Sequence, residues 1–344
     1  MSPQSANRVE NVAIVGAGGH VGKYFAEALV ATGKHNVTAL TRKGSDTKLP
    51  EGVKATHIDY DDEETIVEAL KGQQVLIITL SVAAPKETES KLFKAAAKAG
   101  VAYVLPNWYA QDPDNAALLK DVFILNKSEN AREEITSLGV SSWIQLTCGF
   151  WYEFSLAFGK DTFGFDFENR TLTWLDDGET RITSTTWDQC GRAMAALLSL
   201  PVNPENEQDN ITTLSSFANN VVYVKSFEIN QKDLFDSVKR VTETSDKDWT
   251  FNKTTAEERY AEGQKEVAAG NMRGFTKVLY SRIFFPKDPG NFDSKVHNAT
   301  LGLPEEILDE RTKVAIEMAK KFAAYTDDKS NAERKKMIKE GKSA

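Results

Sequence analysis

Apolar and polar positions follow a repeating order along the first 150 residues. Asn11–Gly16 (NVAIVG) is an unbroken apolar run, the pattern of a parallel strand covered on both faces. Tyr24–Thr32 has helical spacing and stops at Gly33. Further strands are predicted over Val37–Thr41, Val53–Ile58, Val75–Leu80, Val101–Leu105 and Ser142–Leu146. Helices are predicted over Glu63–Lys71, Glu87–Ala99 and Lys127–Leu138, closed by Gly72, Gly100 and Gly139. Such βα alternation with short connections predicts an α/β fold with a doubly wound parallel sheet.

The second half is less regular. Thr162–Thr183 reads as short strands and turns, with Asp176-Asp177-Gly178 as a hairpin signal. Trp187–Leu200 is a predicted helix that stops before Pro201, and Ile211–Val224 reads as strand material. Helices are expected over Lys232–Thr242, Thr255–Ala269 and Pro304–Thr326. The last has Pro304 at its start, with Glu305 and Glu306 suiting the helix dipole. Phe284–Leu303 is loop-like, and no internal repeat appears. The expected division is a sheet domain over 1–155 and a smaller mixed α/β region over 156–344. Part of that second region, about 185–225, is able to return to the sheet.

Composition narrows the classes. The chain has 344 residues, 41% hydrophobic and 27% charged, as in a globular protein. No run approaches the ~18 apolar residues of a membrane helix. Met1–Glu10 is polar and lacks the apolar core of a secretory signal, so a cytoplasmic protein is expected and the six Asn-x-Ser/Thr sequons are set aside. The net charge of −8 disfavours nucleic acid as a partner. The basic stretch Arg334, Lys335, Lys336, Lys339 and Lys342 reads as a solvated terminus. Two cysteines and four scattered histidines provide no metal cluster. Cys148 reads as a buried small hydrophobe.

The first strand runs into Gly16-Ala17-Gly18-Gly19-His20-Val21-Gly22, which opens the first helix. Glycines at this strand–turn–helix junction let backbone N–H groups approach a pyrophosphate at a helix N-terminus. Gly16, Gly18, Gly19, His20, Val21 and Gly22 are therefore candidate cofactor-binding residues. Where an NAD-preferring site places an acid, this chain has Thr41-Arg42-Lys43. A guanidinium binds a 2′-phosphate that a carboxylate would repel, so NADP(H) is expected, with Arg42 as clamp and Lys43 as auxiliary charge. Asp59 and Tyr60 are placed to border the adenine, and Ser81 and Val82 to pass the ribose.

Lys127 opens the helix before the sixth strand. Four residues earlier stands Phe123, where the Tyr-x-x-x-Lys dyad of ordinary short-chain dehydrogenases carries its tyrosine. The phenol is missing, so either Lys127 acts without that tyrosine or another group supplies the acid.

These pieces together resemble the NmrA-like, isoflavone-reductase-like group of atypical short-chain dehydrogenases, in the flavour of fungal secondary metabolism. They comprise the glycine loop, Thr41-Arg42, Pro106-Asn107-Trp108-Tyr109, Lys127, Leu146 to Trp151, and Trp187-Asp188-Gln189-Cys190-Gly191-Arg192. The last resembles the family's Asp-x-x-Gly helix start. The resemblance implies a Rossmann fold and an NADPH-dependent reductase of phenolic or otherwise conjugated small molecules. It implies a catalytic or ribose-binding role for Lys127. Asn107 stands where plant relatives usually carry serine. With Tyr109 it completes the candidate catalytic set. The group also contains dinucleotide-binding redox sensors, and an isomerase on the same scaffold is a further alternative.

Trp108, Tyr109, Phe150, Trp151 and Tyr152 follow the fifth and sixth strands, where ligands bind in such sheets, and form the candidate substrate pocket for a planar molecule. Tyr109 or Tyr152 is available to replace the missing tyrosine acid. Asp188 is read as a helix cap.

Overall fold

The computed structural model describes residues 7–81, 84–206 and 208–324. The first half runs β1 (Asn11–Val15), α1 (His20–Ala31), β2 (Asn36–Arg42), β3 (Lys54–Ile58), α2 (Glu63–Leu70), β4 (Val75–Ile78), α3 (Glu87–Ala99), β5 (Tyr103–Leu105), α4 (Ala116–Asp121), α5 (Lys127–Ser137) and β6 (Ser142–Thr147). There follow β7 (Phe150–Trp151), α6 (Tyr152–Ala157), β8 (Phe165–Asp166), β9 (Thr171–Leu175), β10 (Ile182–Thr185), α7 (Trp187–Leu198) and β11 (Asn220–Tyr223). The chain continues through β12 (Phe227–Ile229), α8 (Gln231–Thr242), β13 (Thr250–Thr254), α9 (Ala256–Ala268), α10 (Gly274–Arg282) and α11 (Leu308–Ala324).

Seven strands, all parallel to their neighbours, form one sheet in the order β11-β6-β5-β4-β1-β2-β3. The order reverses between β1 and β4, the place where such sheets open a crevice at their strand ends. β4 is buried at every position, because apolar layers cover both faces. On one face Phe25, Leu29, Tyr109, Cys190 and Met194 join α1 and α7 to the sheet. On the other, Ile66, Leu92, Ile135 and Trp143 join α2, α3 and α5. A third core, with Tyr152, Phe163, Phe165, Tyr280 and Phe284, fills the second half. Gly191 lets α7 approach α1 closely: a Cβ there would stand 2.6 Å from the Tyr24 carbonyl oxygen. Among the described residues no helix is long and apolar enough to cross a membrane.

Several expectations need correction. Asp176 and Gly178 do make a turn, both with positive φ, but it joins no hairpin. β9 pairs antiparallel with β8 before it and parallel with β13, while β10 belongs to another sheet with β7 and β12. A turn signal encodes a reversal, not the strand that will be met. The last helix starts at Leu308, not Pro304. Glu306 is drawn instead into a buried cluster with Arg192, Arg311 and Thr186. The N-cap of α7 is Thr186, which accepts the Gln189 N–H, and Asp188 is ion-paired with Arg311. Ile211–Val224 splits into a 3-10 turn, Leu214–Phe217, and β11. The expected helix end at Thr326, Val82 and the basic stretch from Arg334 lie outside the described residues.

Candidate functional site

The glycine loop is shaped by backbone contact. Gly16 has φ +80°, and a Cβ on it would lie 2.0 Å from the Thr79 carbonyl oxygen. On Gly22 a Cβ would lie 2.2 Å from the Gly16 carbonyl oxygen. Side chains at either position would force β1, α1 and the end of β4 apart. The Thr79 hydroxyl lies 2.8 Å from the Val15 carbonyl oxygen and 3.1 Å from that of Gly16, tying β4 to the loop. The Gly19 N–H donates to the Gly16 carbonyl at 2.8 Å and closes the turn. Gly19 is also the N-cap of α1 and supplies no side-chain cap. The first N–H groups of α1, from His20, Val21 and Gly22, have no intrahelical acceptor. An uncapped helix start at the switch point of a parallel sheet is a ready anion site. Gly18 faces Thr47 of the β2–β3 loop, whose methyl would meet a Cβ at 2.2 Å.

Arg42 ends β2 and is paired in register with Ile58 of β3. Its guanidinium is exposed and enters no ion pair or hydrogen bond among the described residues. Lys43 is exposed beside it. The Tyr60 ring lies close enough to feel the Arg42 charge, while burial pushes its phenol up. The Tyr60 carbonyl accepts Lys91 Nζ at 2.8 Å. Asp59 is engaged in the turn into α2, accepting the Asp61 N–H at 2.9 Å. The Ser81 carbonyl accepts the Ala84 N–H at 2.9 Å.

Lys127 is the first residue of α5 and is exposed. It lines a narrow crevice with Glu89, Asn107, Trp108, Ser128 and Gln145. Phe123 is not its neighbour on a helical turn. α4 ends at Asp121 and α5 begins at Lys127, so the i, i+4 relation expected from the spacing does not exist. Phe123 instead takes the left-handed conformation (φ 63°) that closes α4, and its ring is 60% exposed. The carboxamide of Asn107, expected to serve catalysis, is committed to the main chain. It donates to the Leu80 carbonyl and accepts the Leu80 N–H, both at 3.1 Å.

The aromatic pocket also needs revision. Tyr109 is 4% exposed, packs edge-on against Phe25 at 4.9 Å, and its hydroxyl lies 3.4 Å from the Leu105 carbonyl oxygen. Burial pushes its phenol well above the ordinary range. Tyr152 is fully buried and hydrogen-bonds Thr312 at 2.6 Å. Phe150 packs on Tyr280, and Trp108 is buried with its indole N–H donated to the Gln111 carbonyl. These four are core residues. The two β7 residues face opposite ways, as strand alternation requires. Trp151 therefore joins a different cluster, with Phe154, Trp187 and His20. The His20 ring stacks on Trp187 at 5.7 Å, and burial lowers its pKa.

The structure thus links Gly16, Thr79, Leu80, Asn107, Glu89 and Lys127 in one path along the strand ends. Thr79 and Glu89 were missed by sequence reasoning. The signal for Glu89 was its place in the first turn of α3, after the strand whose end meets the glycine loop.

Residues 8–157 match the model of the NmrA-like family. An oxidoreductase of Aspergillus flavus, aprR, is 26% identical over 274 residues, covering 78% of this chain and 85% of its own. Among solved structures, isoflavone reductase superposes with a TM-score of 0.67 at 17% identity, covering 88% of this chain and 98% of the other. AtPrR2, solved with NADP+ and (+)-pinoresinol, gives 0.66 at 18% identity over 90% and 99%. At these identities the superpositions show a shared fold. The region from β1 to α6, residues 8–157, is thus similar to the NmrA-like family.

Proposed function

We propose that the chain is an NADPH-dependent reductase of a small aromatic, phenolic or otherwise conjugated metabolite. The carrying observation is the uncapped start of α1 at the glycine loop, with the unpaired guanidinium of Arg42 at the end of the neighbouring strand. An anionic pyrophosphate suits the first and a 2′-phosphate the second. The similarity to an oxidoreductase and to a fold solved with NADP+ supports the same reading.

In this reading Gly16, Gly18, Gly19, His20, Val21 and Gly22 hold the pyrophosphate, and Arg42 with Lys43 hold the 2′-phosphate. Tyr60 borders the adenine, Ser81 passes the ribose, and Asp59 shapes the turn that presents Tyr60. Bound NADPH supplies the hydride. Lys127 Nζ carries positive charge to the substrate side, where it binds hydroxyls and stabilises an oxygen on which negative charge develops. It is also the available donor of a proton from Nζ to that oxygen, because the Tyr109 and Tyr152 hydroxyls are buried away from solvent. Trp151, with Phe154, presents the aromatic surface for a planar substrate, a class that AtPrR2 with (+)-pinoresinol exemplifies.

The test is titration with NADPH, NADP+, NADH and NAD+, followed by NADPH oxidation against phenolic enones, quinones and benzylic ethers. The expected result is preferential NADPH binding with turnover on at least one class. Arg42→Ala should weaken NADPH about 10- to 100-fold, the worth of a charge-assisted pair, and leave NADH nearly unchanged. Equal losses for both cofactors overturn the 2′-phosphate assignment. Tight binding without consumption across the panel favours a redox sensor.

A further inference from the structure

Glu89 has no part in the glycine loop or the aromatic cluster, yet it stands beside Lys127. It lies in the first turn of α3 and lines the same crevice. Its Oε1 accepts the Asn107 N–H at 2.7 Å, which fixes the carboxylate over the end of β5. Oε2 accepts no hydrogen bond among the described residues.

The other polar groups around the crevice have partners elsewhere, although one terminal nitrogen of Arg132 is buried without a hydrogen bond among the described residues. Ser128 and Gln145 hydrogen-bond each other at 2.8 Å. Arg132 is divided between Gln145 Oε1 at 2.6 Å and Asp114 at 3.0 Å. Glu134, the second carboxylate near Glu89, is bonded to Ser90 and faces Lys94 at 4.0 Å. Lys127 enters no ion pair within 4 Å among the described residues, and its charge acts on Glu89. One oriented carboxylate oxygen and one uncommitted ammonium therefore share one crevice.

We infer that Glu89 is a positioning residue, whose second carboxylate oxygen draws the Lys127 ammonium over the strand ends. This rests on the role given to Lys127 above. Asn107 completes the relay: its side chain holds Leu80, its N–H holds Glu89, and Glu89 steers Lys127. Burial opposes the charge on Glu89 and raises its pKa, while the Asn107 N–H and then the Lys127 charge favour the carboxylate.

Glu89→Gln is the informative change, because the amide oxygen still accepts the Asn107 N–H while the charge is lost. The readout is the rate of Lys127 acetylation by acetic anhydride at one fixed pH, followed by peptide mass spectrometry, with Lys120 as an internal reference. The glutamine variant should keep its melting temperature, and Lys127 should be acetylated several-fold faster relative to Lys120 once the carboxylate no longer holds its ammonium. Glu89→Asp should return that ratio toward the wild-type value. A folded Glu89→Gln protein with an unchanged ratio of Lys127 to Lys120 acetylation overturns the inference. Because the readout needs no substrate, it is separable from the reductase reading. The role given to Lys127 fails instead if Lys127→Met retains turnover, and the reductase reading fails if the wild type consumes no NADPH.

Discussion

The Asn107 carboxamide grips the Leu80 peptide from both sides, donating to its carbonyl and accepting its N–H at 3.1 Å each. The two residues follow neighbouring strands, β4 and β5, so this bracket aligns the two strand ends. Asn107→Ala removes both bonds and leaves two main-chain groups short of partners. The expected loss is about 1–3 kcal/mol of stability, at about 0.5–1.5 kcal/mol per bond, read from urea midpoints. Asn107→Asp should cost more, since a carboxylate turned toward the Leu80 carbonyl repels it. A fall in kcat with an unshifted midpoint would restore the catalytic reading of Asn107.

Phe123 closes α4 in the backbone conformation that glycine adopts without strain. Its N–H donates to the Lys120 carbonyl and the next N–H to that of Leu119, the bonds of a Schellman cap. Phe123→Gly should therefore stabilise the protein by about 1 kcal/mol, measured by chemical denaturation. Phe123→Tyr should leave turnover unchanged, because the hydroxyl would not sit one helical turn from Lys127.

Tyr109→Phe and Tyr152→Phe test the core assignment. Both proteins should keep full turnover on any substrate the wild type reduces. The Tyr152 variant should lose about 0.5–1.5 kcal/mol through its bond to Thr312, whereas the longer Tyr109 contact should cost less. A large fall in kcat for either would identify it as the missing acid.

Glu153 is a buried carboxyl whose pKa is pushed up to about 7 by desolvation, although it accepts the Trp187 N–H at 3.2 Å. Its pKa is higher in the folded than in the unfolded chain, so ionisation opposes folding. Its neutral form is fully compatible with the fold below about pH 4.5, and stability is lost as pH rises toward 7. The linked change is on the order of 3 kcal/mol. Glu153→Gln should remove that part of the slope in urea midpoints between pH 4.5 and 8. An identical slope in the variant would mean that other groups carry it.

Much of the sheet was readable from local pattern. A strand buried on both faces is a short apolar run, and β1 and β4 carry that mark at Val12–Val15 and Val75–Ile78, whereas β6 is buried over Trp143–Thr147 with Gln145 and Thr147 in its course. Helix ends at Gly100 and Gly139 were equally local, because each glycine takes the positive φ that ends a helix cheaply. β13 escaped notice because Thr250–Lys253 is exposed and has no apolar alternation to betray it.

The amino-acid sequence by itself determined the βα alternation, the glycine loop at its first turn, and the basic residue at the end of the second strand. All three depend on spacing along the chain, which periodicity and glycine geometry encode directly. The tertiary structure alone decided which side chains meet. It turned Tyr109 and Tyr152 into the core and spent Asn107 on Leu80. It separated Phe123 from the lysine helix, brought β11 back to the sheet beside β6, and set Glu89 against Lys127. Residues far apart in sequence become partners only when the faces of their elements pack. Local propensity fixes the period of those faces but not their neighbours.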